Sequence, residues 1–285
     1  MRAIFLVDNG SLKPAAVFNL RRVAKALGEQ INEPVTPASL LHSNKIAVEE
    51  LDGEPARTLG PAAERSAAEG AREIIVIPFF FGESRALTDY LPKRMAELQA
   101  RFPNVAVRVA MPLVDERGDN DLRLSGILAD NVLEVLPDGA PPRVALVDHG
   151  SPIFEVTAVR NRLAGQLGAL LGERVACVAP ASMERREGDE YRFNEPLLEN
   201  LLESPEFGEA TVVVALLFLS PGRHAGEGGD IAEICRQAQA RHPNLRITTT
   251  RLVGEHDGIA ALLRARFEAL MRGRALLELL PPGGD

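Results

Sequence analysis

Two histidines in this chain stand in matching places. Residues 144–151, Val-Ala-Leu-Val-Asp-His-Gly-Ser, are an apolar run that ends in Asp148 and His149, with Gly150 next. Residues 211–219, Thr-Val-Val-Val-Ala-Leu-Leu-Phe-Leu, are a second apolar run, followed by Ser-Pro-Gly-Arg-His, which ends at His224. Continuous apolar runs bounded by turn residues read as strands buried on both faces, as in a parallel sheet. In open α/β sheets, ligands collect at the carboxyl ends of the strands. A single histidine after a strand is more often a hydrogen-bonded structural residue. Two of them at equivalent strand ends point instead to a shared metal, because neutral imidazole suits a borderline transition ion. Two protein ligands leave the other coordination positions to water or substrate, which marks a catalytic rather than a structural site.

The elements that must position these residues follow from the periodicity. Ile4–Val7, Val35, Ile74–Phe81 and Val105–Val109 read as strands; Pro14–Leu27, 61–70, Thr88–Arg101 and Leu122–Leu136 read as helices between or after them. The order repeats after the proline- and glycine-rich stretch 137–142: strands at Val144–Val147, Val175–Val178, Thr211–Leu219 and Leu245–Thr249, and helices at Ala158–Leu171, Pro196–Leu202, Ile231–Arg241 and Ile259–Arg272. Strands alternating with helices predict an α/β fold with parallel sheets and right-handed crossovers. The break predicts two similar domains, 1–139 and 140–285, facing a central cleft.

The repeat is also visible residue by residue. Asp8-Asn9-Gly10-Ser11 matches Asp148-His149-Gly150-Ser151, and Arg101-Phe102-Pro103-Asn104 matches Arg241-His242-Pro243-Asn244, in both cases 140 residues later. Such ordered matches indicate an internal duplication. At the same offset, Asn9 stands for His149 and Ser84 for His224. Any metal site therefore belongs to the second half, and the first half is expected to be a degenerate copy.

With 46% hydrophobic and 25% charged residues, the composition is that of an ordinary globular protein. A net charge of −8 argues against nucleic-acid binding. The two cysteines, Cys177 and Cys235, read as reduced, buried thiols. The N-terminal apolar run is too short for a signal peptide and no run is long enough to span a membrane, so a cytoplasmic protein is expected. No phosphate-loop spacing is present.

The second half resembles the sirohydrochlorin chelatase family of class II chelatases. The residues that carry the likeness are Asp148-His149-Gly150-Ser151, the run Leu216 to His224, the pair Asp230-Ile231, and Leu252-Val253-Gly254-Glu255-His256. The likeness implies insertion of a divalent metal, cobalt or iron with nickel left open, into a tetrapyrrole for cobalamin or siroheme. The metal is then a substrate, no organic cofactor is needed, and the protein is a monomer or a homodimer. It also implies a catalytic carboxylate near Glu184, with Glu227 as the alternative. For a polycarboxylate substrate, Arg185, Arg186 and Arg223 are candidate anchors, with Ser151 and Gly222 in the substrate-binding loops. Two departures stand out: Ala225–Gly229 is a glycine-rich insertion after His224, and Pro152 replaces an arginine that often follows His-Gly-Ser. A metal or tetrapyrrole carrier without turnover, and an interaction domain with structural histidines, are the rival readings.

Overall fold

The computed structural model describes residues 1–115, 121–226 and 228–281. In chain order the elements begin with β1 (Arg2–Asp8), α1 (Pro14–Ile31), β2 (Val35–Ser39), α2 (Leu59–Ala68), β3 (Glu73–Pro78), α3 (Leu91–Arg101) and β4 (Ala106–Ala110). α4 (Arg123–Glu134), β5 (Arg143–Asp148), α5 (Phe154–Leu171), β6 (Cys177–Ser182), α6 (Leu198–Glu203), β7 (Thr211–Leu216), α7 (Asp230–Arg241) and β8 (Arg246–Thr249) follow. α8 (Ile259–Met271) and β9 (Ala275–Leu279) come last.

Two mostly parallel sheets result, each flanked by helices. Their strand orders are β2-β1-β3-β4-β9 and β6-β5-β7-β8. In each sheet the strand with the Asp-Xaa-Gly-Ser ending lies between two parallel neighbours: Ile4 pairs with Val35 and Ile75, and Val144 with Val178 and Val213. Ile4–Val7 and Val144–Val147 are wholly buried, as continuous apolar runs require when helices cover both faces. α1 and α5 have the same length and the same 140-residue offset, so the duplication holds helix by helix.

The chain forms two compact units that do not follow the expected boundary at 139/140. One comprises Met1–Asp119 with Asp257–Asp285, the other Asn120–His256. Side chains explain the assignment. α4 precedes the proline-rich stretch but packs with α5 and β7. Its Asn131 and Glu134 take the Arg251 guanidinium at 2.8 and 2.6 Å. α8 ends the second repeat but packs with α1, β3 and β4 of the first unit. Its buried Arg266 donates to the carbonyls of Pro112 and Leu113 at 2.9 and 2.6 Å. The duplicated order thus carries its last helix in the other unit in both repeats.

Two further differences from the periodicity have local causes. β9 was not expected; Ala-Leu-Leu-Glu-Leu is made of helix formers, and antiparallel pairing with β4 overrides that preference. β7 stops at Leu216 although the apolar run continues to Leu219, because Phe218 turns its carbonyl to the amide of Val253 at 2.9 Å. Cys235 is buried, and burial pushes its thiol up to about 11, but Cys177 is only partly buried; both are free. Among the described residues, no helix is long and apolar enough to cross a membrane.

Candidate metal centre

The site is built from the end of β5. Gly150 has φ +94°, a left-handed conformation, and a Cβ there would collide with the carbonyl oxygen of Glu184. Only glycine fits. Backbone bonds continue past the paired strands, from Met183 N to Asp148 O (2.8 Å) and from Glu184 N to His149 O (3.2 Å). These bonds lay Glu184 beside His149, and its Oε1 is 3.4 Å from His149 Nε2.

His224 arrives from the other side. It lies in the loop between β7 and α7, and that loop closes on the start of α7 through Ile231 N to His224 O (3.1 Å). The imidazoles of His149 and His224 meet edge to face with centroids 4.6 Å apart. Their Nδ1 atoms face acceptors: Gly150 O at 3.1 Å for His149, and Asp230 Oδ2 at 2.7 Å for His224. With Nδ1–H donated in both rings, both Nε2 lone pairs are left for a metal, the arrangement by which an outer partner fixes the tautomer of a ligating histidine.

Beneath the pair lies a buried polar network. Asp148 Oδ1 accepts from Gly150 N at 3.1 Å and from Ser182 Oγ at 2.6 Å, and pairs with Arg160 Nη1 at 3.6 Å. Arg160, 1% exposed, also donates to Ser182 Oγ and, at 2.9 Å, to Asn194 O. Burial raises the Asp148 carboxyl, opposed by the Ser182 hydrogen bond and the Arg160 charge. Burial likewise lowers the Arg160 guanidinium, opposed by Asp148. A buried charge is stable only when paired in this way. The network fixes the strand end from which His149 projects.

The other expected site residues divide. Arg223 Nε lies 3.6 Å from Asp230, on the rim of the His224 loop. Arg185 is turned into its own loop, paired with Glu195 at 3.0 Å and donating to the carbonyls of Arg186 and Gly188. Ser151 builds the turn: its amide donates to Asn194 Oδ1, and its hydroxyl accepts from Ile153 N. Gly222 N donates to Ala225 O at 2.9 Å, closing a tight turn that contains Arg223 and His224. Glu227 lies outside the described residues. Among the described residues, no group of three or more His, Cys, Asp or Glu side chains is disposed to hold a metal, so the centre offers a pair of imidazoles. In the first unit Asn9 is exposed, and the Ser84 hydroxyl is sealed without a hydrogen-bond partner.

Sequence reasoning named Asp230 only as part of a motif and missed Arg160 and Asn194. Arg160 had a usable signal, a charged residue on the helix face of Leu163 and Leu167, where Leu20 stands in the first repeat.

A sequence model of the CbiX family matches residues 3–118 and 143–270. The chain belongs to the CbiX family. The CbiX match spans both repeats, including the one with Asn9 and Ser84 in place of the two site histidines. No curated protein sequence matches the chain. Among solved structures, SirB from Bacillus subtilis with Fe3+ superposes with a TM-score of 0.72 at 17% identity, covering 94% of each chain. The sirohydrochlorin chelatase SirB from Bacillus subtilis subspecies spizizenii in complex with cobalt gives 0.70 at 17% identity, covering 97% of this chain and 99% of that one. CbiX, described as the terminal enzyme for biosynthesis of siroheme in denitrifying bacteria, gives 0.58 at 16% identity, covering 94% and 99%. At these identities the likeness establishes a shared two-domain α/β fold.

Proposed function

We propose that this chain is a sirohydrochlorin chelatase that inserts a divalent metal, cobalt or iron, into the tetrapyrrole for cobalamin or siroheme. The observation that carries the reading is the pair of imidazoles 4.6 Å apart, each with its Nδ1 turned to an acceptor, and Glu184 beside the Nε2 of one of them. Membership of the CbiX family and the metal-bound SirB neighbours agree with it.

The reaction exchanges two pyrrole N–H protons for one M2+, releasing two H+. His149 and His224 hold the metal with few protein ligands, so ring nitrogens can replace water stepwise. Glu184, within 3.4 Å of His149 Nε2, receives protons leaving the ring. A carrier would need the histidines but not a carboxylate at that place, so the position of Glu184 favours turnover. The first unit, with Asn9 and Ser84 at the matching positions, contributes no metal ligand.

The test is the absorbance change of sirohydrochlorin with Co2+ or Fe2+ for wild type, His149→Ala, His224→Ala and the double variant. Each single variant is expected to lose most of the activity and the double to be little worse, because ligands that act as a unit are not additive. Near-wild-type turnover in either single variant would rule out the paired site. Metal binding without turnover in the wild type would establish the carrier reading instead.

A further inference from the structure

Among the described residues, the unit that holds the imidazole pair also holds a row of three aromatic rings, and no such row is found in the other unit. Tyr191 and Phe193 lie with centroids 6.4 Å apart, and Phe193 meets Phe154 edge to face at 5.7 Å. Phe154 is the first residue of α5 and, despite its contact with Phe193, is 59% exposed, an unfavourable place for a phenyl ring. The matching helix of the first unit starts with Pro14. The segment after β2 there buries Ile46 and Leu51 against Val17 instead.

The row is anchored to the His149 loop. Asn194, fully buried, accepts from Ser151 N and donates to the carbonyls of Ser151 and Tyr191, at 2.9, 2.9 and 3.0 Å. Phe154 is five residues from His149 along the chain. Even fully extended that is roughly 17 Å, within the span of a large macrocycle and its side chains. Charge completes the pattern. Arg185, Arg192 and Arg223 each have a carboxylate partner. Arg186 has none among the described residues and lies over the Tyr191 ring, 6.0 Å from its centroid. A row of rings, one exposed and two partly buried, with a guanidinium that has no carboxylate partner among the described residues, is complementary to a flat conjugated ligand with an anionic rim.

We propose that Phe154, Phe193 and Tyr191, together with Arg186, form the subsite that binds the ring and one peripheral carboxylate of a polycarboxylate macrocycle delivered to His149 and His224. This rests on the chelatase reading. The subsite acts on the ring and not on the metal, which separates it from the histidine centre.

The experiment is a titration of metal-free sirohydrochlorin, followed by its fluorescence, into wild type, Phe154→Ala, Arg186→Gln and Phe18→Ala, with Co2+ affinity measured in parallel. Phe154→Ala and Arg186→Gln are expected to weaken ring binding about fivefold and to leave Co2+ affinity within about twofold. Phe18→Ala, a partly exposed aromatic of the first unit, serves as the control and is expected to change neither. Both test side chains are exposed, so the fold survives their removal. Wild-type ring affinity in Phe154→Ala and Arg186→Gln overturns the subsite and leaves the chelatase reading standing. A wild type that binds no sirohydrochlorin overturns both.

Discussion

At the scale of single residues, the two histidines of the centre are not equivalent. His149 gives its Nδ1–H to a neutral carbonyl, and His224 gives its own to the Asp230 carboxylate at 2.7 Å. A carboxylate partner makes an imidazole a stronger ligand and holds its ring in place. Asp230→Ala should therefore lower Co2+ affinity roughly 10- to 100-fold. Its cost to folding should be small: Asp230 is partly exposed in the first turn of α7, where an acidic side chain contributes about 0.3–1 kcal/mol. Asp230→Asn, which keeps an oxygen acceptor, should fall between the two. Calorimetric titration of Co2+ checks this, and an unchanged affinity in Asp230→Ala would remove Asp230 from the centre. His149, His224 and Glu184 were legible because each follows a recognisable strand. The Asp230 contact was not, because it depends on how the loop from His224 folds back on α7.

At the scale of elements, the duplicated strand ends share a frame but not its compensation. Asp8 and Asp148 both end a buried central strand, followed by a glycine in a left-handed conformation. In the second unit Arg160 of α5 meets the carboxylate; in the first, Leu20 occupies that place on α1. Asp8 Oδ1 is sealed from solvent without a hydrogen-bond partner. Burial pushes the Asp8 carboxyl up to about 6, opposed only by hydrogen bonds from Ser39 and Gly10 and its own backbone amide. Its unfolded value is 3.8, so the folded state holds the proton longer. Stability is fully retained below about pH 4, falls as pH rises toward 6, and is flat above that. At about 1.36 kcal/mol per unit, the loss is at most roughly 3 kcal/mol at pH 7. Asp8→Asn should recover much of this at pH 7 and little near pH 4, as read by urea denaturation at the two pH values. A gain that does not depend on pH would show that Asp8 is not the titrating group. The sequence made the two strands and their glycines visible; the lost counter-ion emerges only when α1 and α5 are compared face by face.

At the scale of the whole molecule, the repeat read from the sequence and the units built in space differ by one helix each. Apart from β9, the succession of strands and helices along the chain and the duplication were legible, because they are written in local periodicity. The partners of α4 and α8 were not, because both helices have ordinary apolar faces that fit either sheet until tertiary contacts choose. A fragment cut at the proline-rich stretch, 140–285, lacks α4 and keeps α8 and β9 without the unit they pack in. Leu124, Ile127, Leu128 and Val132 of α4 are buried. At roughly 1.5–3 kcal/mol for each buried aliphatic side chain, their loss is comparable to the whole stability of a domain, about 5–15 kcal/mol. The exposed core face of α8 would add aggregation. Fragment 120–256 keeps its helices, its sheet and both histidines. It should therefore unfold cooperatively in urea and bind Co2+, whereas 140–285 should do neither. If 140–285 unfolds cooperatively and 120–256 does not, the linear boundary is the physical one and α4 is dispensable to the unit that carries His149 and His224.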